Sequence, residues 1–243
     1  MSKNQNIVFT TGEYYHAYNR GVDKKIIFLD DEDFWKFFDC LRDLNNETSY
    51  EERLSALGIS KNSMRSLNSS DFRELGSFIK QQEKIVEIIS YSINPNHFHL
   101  ILKQLKDNGG SNFMHRVSTS YTNYFNKKYE RSGVLFQGVF KKVHIDSNRY
   151  LLWLIGYING NIEIHGLNKA SEYPWSSYQA IRKEVPSFLK NEASRLSNLS
   201  VLSGLDVVFS QFASVEEFEE FIKMVVKESR TKKEMERYLL EEC

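Results

Sequence analysis

Two histidines one residue apart, His97-Phe98-His99, are the sharpest chemical signal in this chain. They fall in the alternating stretch HFHLILK over 97–103, which reads as a β-strand. Residues i and i+2 of a strand point to one face. Both imidazoles therefore project together, while Phe98, Leu100 and Leu102 turn to an apolar side. A pair of neutral imidazoles is a ready ligand set for a divalent metal; the plainer alternative is two surface histidines on a half-buried strand. A second signal is Tyr150, Trp153, Tyr157 and Asn161 on a stretch with helical spacing. Tyr157 and Asn161 are one turn apart and share a face, with Tyr150 near it. A tyrosine beside a metal can act as a nucleophile once its proton is removed, because a phenol of pKa about 10 is neutral at pH 7. The plainer reading is a core or interface tyrosine, one of 13 in the chain. A third signal is charge. Between Phe113 and Tyr150, Arg116, Lys127, Lys128, Arg131, Lys141, Lys142 and Arg149 face only Glu130 and Asp146, a local charge of +5. Tyr121, Tyr124, Phe125, Tyr129 and Phe136 are interleaved with them, a mixture that suits phosphate contact with base stacking. It equally suits a solvated helix face whose aromatics turn to the core.

These residues need elements to position them. Residues 13–22 read as a strand running into a turn at Gly21, and 30–45 as a helix with Phe34, Phe37, Phe38 and Leu41 on one stripe behind an acidic first turn. Residues 84–93 and 97–103 read as a hairpin about the turn Asn94-Pro95-Asn96. A helix follows over 111–129, stopped by Ser132-Gly133, then one or two strand pieces over 134–145 around Gly138. The third long helix is 147–161, capped by Ser147 and striped by Leu151, Leu154, Ile155 and Ile158. Residues 173–182 read as a Pro-led turn and short helix. From about 186 amphipathic pieces follow, with Ser214-x-x-Glu217 resembling a capping box and a charged, fraying last dozen residues. The Ser/Asn-rich stretch 46–83 reads as a polar insertion of short helices, not a domain. The order predicts an α+β fold: a ferredoxin-like or RRM-like antiparallel sheet with helices packed on one face, over 1–183, and a helical C-terminal extension over 184–243.

Composition sets the outer limits. The chain has 243 residues, 41% of them hydrophobic, and 32 basic residues match 32 acidic ones. That suits a packed core and excludes both wholesale disorder and a globally basic, histone-like binder. No apolar run approaches the roughly 18 residues of a membrane span, and the N-terminus lacks the apolar core of a signal peptide. The two cysteines, Cys40 and Cys243, make neither a disulfide framework nor a Cys-based zinc site. A Gly-rich phosphate loop, a His-Glu-x-x-His helix and a Gly-x-Ser-x-Gly elbow are all missing, so no nucleotide cofactor is expected. The expectation is a soluble protein of the bacterial cytoplasm.

Taken together, YYHAYNRGVDKKIIFLDDEDF, SINPNHFHLILK, YTNYFNKKYERSGVLFQGVFK and YLLWLIGYINGN resemble the REP-associated tyrosine transposases, within the single-tyrosine HUH transposases of the insertion-sequence 200/605 class. The resemblance runs from about Tyr14 to Tyr178, with the motifs in the family's order; the C-terminal tail resembles that family's extension more weakly. It implies that His97 and His99 are the metal-binding pair, with Mg²⁺ or Mn²⁺ as cofactor. It implies Tyr157 as nucleophile, and Asn161 as third ligand or neighbour of the metal. Asn19-Arg20-Gly21 matches a segment near the DNA-binding face, which makes Arg20 a phosphate or base contact. The chain departs from the family at Asn161-Ile162, where Asn-Pro is common; a proline there is a helix stop, not a reacting group. The implied activity is metal-dependent nicking and rejoining of single-stranded DNA through a 5′-phosphotyrosine. The implied partner is hairpin DNA of the palindromic-repeat type, bound by a monomer or homodimer. Backbone contacts are expected from Arg116, Lys127, Lys128, Arg131, Lys141 and Lys142.

Two other classes fit the same residues. One is a non-catalytic module that holds single-stranded DNA or RNA hairpins on an RRM-like sheet, derived from such a transposase. The other is a replication-initiator-like nuclease, disfavoured by the lack of any ATP motif and by a single fitting tyrosine.

Overall fold

The computed structural model describes residues 8–46, 83–187 and 201–241. Most of the polar insertion lies outside the described residues. Its two ends are held together: the Asn45 side chain accepts from the amides of Ile85 and Val86 at 3.2 and 3.1 Å and donates to the Val86 carbonyl at 2.9 Å. The excursion between them therefore leaves and re-enters the domain at one point.

Four strands form one antiparallel sheet: β1 (Tyr14–Arg20), β2 (Val86–Asn94), β3 (His97–Gln104) and β4 (Lys141–Ile145). The order is β2-β3-β1-β4. Helix α1 (Asp31–Asp43) connects β1 to β2 and α2 (Gly109–Lys128) connects β3 to β4. This is the ferredoxin-like arrangement, so the expected α+β class and antiparallel sheet hold. The expected strand pieces over 134–145 reduce to β4, preceded by a single bridge between Gly21 and Phe136.

Strand alternation divides the interior in two. Ala17, Ile88, Tyr91, Ile93, Phe98, Leu100 and Leu102 pack with Phe37, Leu41, Phe113, Val117 and Tyr121 of α1 and α2. The expectation of helices on one face describes α1 and α2 only. Helix α3 (Asn148–Ile164) lies on the other face, where Leu154, Ile155 and Ile158 pack with Ile89, Ile101 and Ile145. The physical reason is the composition of α3: ten of its 17 residues are buried, more than one amphipathic stripe supplies. A bulge at Ile89, between Ile88 and Ser90 in the β2–β3 register, switches the parity of β2 and sends Ile89 to the α3 side.

Beyond α3 come α4 (Tyr178–Ser187), the short α5 (Asp206–Phe209) and α6 (Val215–Glu241), which is helical to Glu241. The outer edge of β2 is paired by other chain: Ile93 N donates to Trp175 O and Ser177 N to Tyr91 O, both at 2.9 Å. The capping box is present with a shifted partner: Glu217 N donates to Ser214 Oγ at 3.2 Å, while the Glu217 carboxylate accepts from Ala213 N at 2.7 Å. Among the described residues no helix is long and apolar enough to cross a membrane.

Helix α6 packs along α3 because Gly156 and Gly160 leave it room. A Cβ on Gly156 would stand 2.8 Å from Val225 Cγ2, and one on Gly160 would meet Val226 Cγ2 closer still. Both neighbours are β-branched and stiff at χ1, so relief must come from a shift of one helix. Gly160→Ala should lower stability by about 1–3 kcal/mol, the usual range for overpacking. Thermal melting of the two proteins checks this, and an unchanged melting temperature would contradict the contact.

Candidate active site

Parity places His97 and His99 on the α3 side of the sheet, with Arg20 opposite His97 and Tyr18 opposite His99 on β1. Helix α3 crosses above them. Its rotation is set by Asn159, which is fully buried and donates to Ser90 Oγ at 3.0 Å and accepts from Ser177 Oγ at 2.7 Å. With Asn159 locked to the sheet and the two glycines against α6, the remaining stripe of α3, Trp153, Tyr157 and Asn161, turns to the histidines. The Tyr157 ring stands edge-on to His99 with centroids 5.9 Å apart and stacks on Trp153 at 5.2 Å.

The His97 ring is held at both nitrogens. Asn96 donates its amide to the Lys24 carbonyl at 3.0 Å, which leaves Asn96 Oδ1 facing His97 Nδ1 at 2.6 Å. An amide oxygen only accepts, so the proton sits on Nδ1 and the lone pair on Nε2, toward which the Asn94 amide points. That lone pair lies 3.0 Å from Asn161 Oδ1, and Asn94 Nδ2 donates toward both, at 3.1 and 2.8 Å. An imidazole nitrogen and an amide oxygen, both acceptors, thus converge on one point. Beside them Asn94 Oδ1 and Asn161 Nδ2 are buried without a partner among the described residues.

His99 is 8% exposed and bonded at Nδ1 to His16 Nε2 at 2.8 Å. His16 comes from β1 and stacks on Tyr18. The sequence reading missed it; the β1–β3 register, which pairs it beside His99, is the signal that finds it. Desolvation lowers the pKa of His16 and of His97 to about 4 and holds His99 well below its ordinary value. All three rings are therefore neutral at pH 7, the form that ligates metals. Burial raises the Tyr157 pKa, opposed by the Asn161 side chain and helped by Tyr18, so the phenol needs assistance to ionise.

Among the described residues no group of three His, Cys, Asp or Glu side chains is arranged to hold a metal. Two imidazoles and one amide oxygen nevertheless fit a cation such as Mn²⁺ or Mg²⁺ whose remaining positions are taken by water or phosphate oxygens. The converging acceptors His97 Nε2 and Asn161 Oδ1, with the unpartnered Asn94 Oδ1 beside them, are what such an ion would satisfy.

The histidines and Tyr157 line a cleft of about 480 Å³ together with Asn19, Arg20, Lys24, Gln137, Lys141 and His165. Three cations and no carboxylate line it, so it favours anions. Lys24 and Asp23 have φ of 59° and 54°, a left-handed conformation costly for side chains with a Cβ. The turn is held by Asn96, the same residue that orients His97.

Of the sequence-derived basic residues, the cleft thus gathers Arg20 and Lys141. The other five sit elsewhere. Helix α2 is on the opposite face of the sheet, where Arg116 donates to the Asn46 carbonyl; Arg131, just beyond it, donates to the Val134 carbonyl. Lys127 is at the end of the same helix. Lys142 has opposite parity to Lys141 and lies over the Phe9 ring, 4.6 Å from its centroid. Lys128 meets Asp30, Glu32 and Asp33 at 2.8, 3.0 and 2.9 Å.

Residues 59–161 match the family of transposases described as IS200-like. The matched segment contains His97, His99, Tyr157 and Asn161 and ends at Asn161. Among solved structures, the fold is similar to that of a REP-associated tyrosine transposase bound to a REP hairpin. That similarity has a TM-score of 0.50 and 14% identity, over 80% of this chain and 93% of the other. No curated protein matches this chain.

Asp33 is fully buried, and Lys128 is its cationic partner. Desolvation opposes charge on Lys128, but the three carboxylates outweigh it and raise its pKa. Lys128→Met should therefore destabilise the fold by about 3 kcal/mol, the lower end for breaking a buried pair, because the tyrosines 124 and 129 still donate to Asp33. Chemical denaturation measures this; a loss below about 0.5 kcal/mol would mark the pair as a surface bridge.

Proposed function

We propose that this protein is a transposase of the IS200-like kind that nicks and rejoins single-stranded DNA at hairpins of the palindromic-repeat type, in the manner of a REP-associated tyrosine transposase, with Tyr157 as nucleophile. The observation that carries the reading is that Tyr157, His97 and His99 line one cleft with Arg20, Lys24 and Lys141, with Asn161 Oδ1 against His97.

The chemistry is one exchange of ester bonds. The Tyr157 oxygen bonds to phosphorus as the bond from phosphorus to the 3′-oxygen breaks. The phenol's proton ends on the released 3′-oxygen, and the 5′-phosphate stays on the tyrosine. A second 3′-hydroxyl reverses the step, so the number of phosphodiesters is conserved and no nucleotide triphosphate is consumed. His97, His99 and Asn161 would hold a divalent cation, which supplies Lewis-acid polarisation of the scissile phosphate. Arg20, Lys24 and Lys141 bind and orient the phosphate backbone. His16 holds the His99 ring, and Asn96 holds His97 in the tautomer with Nε2 free. Burial of Tyr157 keeps it protonated until substrate and cation are both in place.

Labelled hairpin DNA incubated with Mn²⁺ or Mg²⁺ and run on a denaturing gel should give a covalent protein–DNA adduct. Tyr157→Phe should abolish the adduct and leave hairpin affinity within a few fold. A stable adduct from that variant sinks the nucleophile assignment, and chelator-resistant binding with no nick in the parent supports the binding-module reading instead. A second expectation concerns His16. His16→Ala should weaken Mn²⁺ binding, read by titration calorimetry without DNA, by about tenfold or more, and His16→Gln should restore part of it by accepting from His99 Nδ1. Equal Mn²⁺ affinity in all three proteins would remove His16 from the site.

A further inference from the structure

A second cavity, of about 570 Å³, opens on the far side of Tyr157 between α3 and α6. Its size falls within the roughly 300–1,000 Å³ of sites for small organic groups. Tyr157 and His165 line both this cavity and the cationic cleft, so the two form one trough with the tyrosine at its middle. Trp153 forms one wall. One face of its indole lies on Tyr157, nearly parallel at 14°, yet the side chain is 38% exposed. An indole held flat by one neighbour and open on its other side is a stacking platform. The opposite wall is α6, which brings Glu228, Ser229 and Lys232. The Ser229 hydroxyl is buried with no partner among the described residues.

The reaction set out above sends two strands away from one phosphorus, and the cationic cleft provides for one of them. We propose that the second cavity holds a nucleotide of the other strand, its base stacked on Trp153 and its phosphate met by Lys232. This rests on the proposed function and adds to it a subsite built by the C-terminal helix. Ser229 is placed to bond the edge of the base.

The test uses the full chain carrying Tyr157→Phe, so that binding is read without covalent chemistry. Fluorescence anisotropy compares a hairpin with and without single-stranded tails. A tail should tighten binding about tenfold, the effect of stacking one base. Adding Trp153→Ala should collapse that gain to below about twofold while the affinity for the tailless hairpin stays unchanged, and Trp153→Phe should recover most of it. Lys232→Gln should reduce the gain and its salt dependence. A tail gain that is absent, or that survives Trp153→Ala, overturns the subsite while leaving hairpin binding intact. Failure to bind either DNA overturns the proposed function itself. Melting curves of the Trp153 variants separate loss of the platform from loss of the fold.

Discussion

The period-two alternation of β3 is the constraint on which the site depends. Phe98, Leu100 and Leu102 must enter the core beneath α1 and α2, and this forces His97, His99 and Ile101 to the opposite face. A one-residue slip would bury two imidazoles in a hydrocarbon core and expose three large apolar side chains. The register is thus held by the whole of one core, and the position of the histidines follows from hydrophobic packing without any interaction of their own.

That same alternation leaves an exposed sheet face needing cover, and α3 supplies it. A helix over a sheet could rotate or slide. Here two kinds of contact prevent it. The hydrogen bonds of Asn159 to Ser90 and Ser177 fix its rotation against β2, and the close approach at Gly156 and Gly160 fixes its distance from α6. Arg230 adds a bond from α6 to the Glu163 carbonyl at the end of α3, through Nε at 3.0 Å. The C-terminal helix is therefore part of what aims Tyr157, and its core with α3 is continuous with Ile89 and Ile101 of the sheet. In the proposed reaction, positioning of this kind would limit how far the Tyr157 oxygen wanders, which is where much of the rate of a transesterification originates.

The polar groups around the histidines show a division of labour. Asn96 joins the strained turn at Asp23 and Lys24 to the His97 ring, so a cation and an imidazole that line the same cleft are set by one side chain. His16 does the same for His99 from the neighbouring strand. Lys128, by contrast, spends its charge on Asp30, Glu32 and Asp33, where it ties α2 to the start of α1. Basic residues of similar appearance in the sequence thus divide into those that neutralise the protein's own carboxylates and those left to meet a ligand.

Much of this was legible in the residues alone. The alternation of HFHLILK, the turn at Asn94-Pro95-Asn96 and the helical spacing of Tyr157 and Asn161 are local properties, and local patterns determine which side chains share a face. The sheet, the hairpin and the three long helices follow from them. What only the tertiary structure decided is which faces meet. Helix α3 lies across the sheet from α1 and α2 because its buried fraction is too large for a single stripe, and periodicity records how much of a helix is apolar but not what it will cover. His16 enters beside His99 through strand register, at a separation of 83 residues. Arg20 and Lys141 reach the cleft while Arg116 and Lys128 do not, because the sheet lies between them. A charge in sequence has a sign and a place on its own element; whether it faces a phosphate or a carboxylate depends on chain folded back from far away.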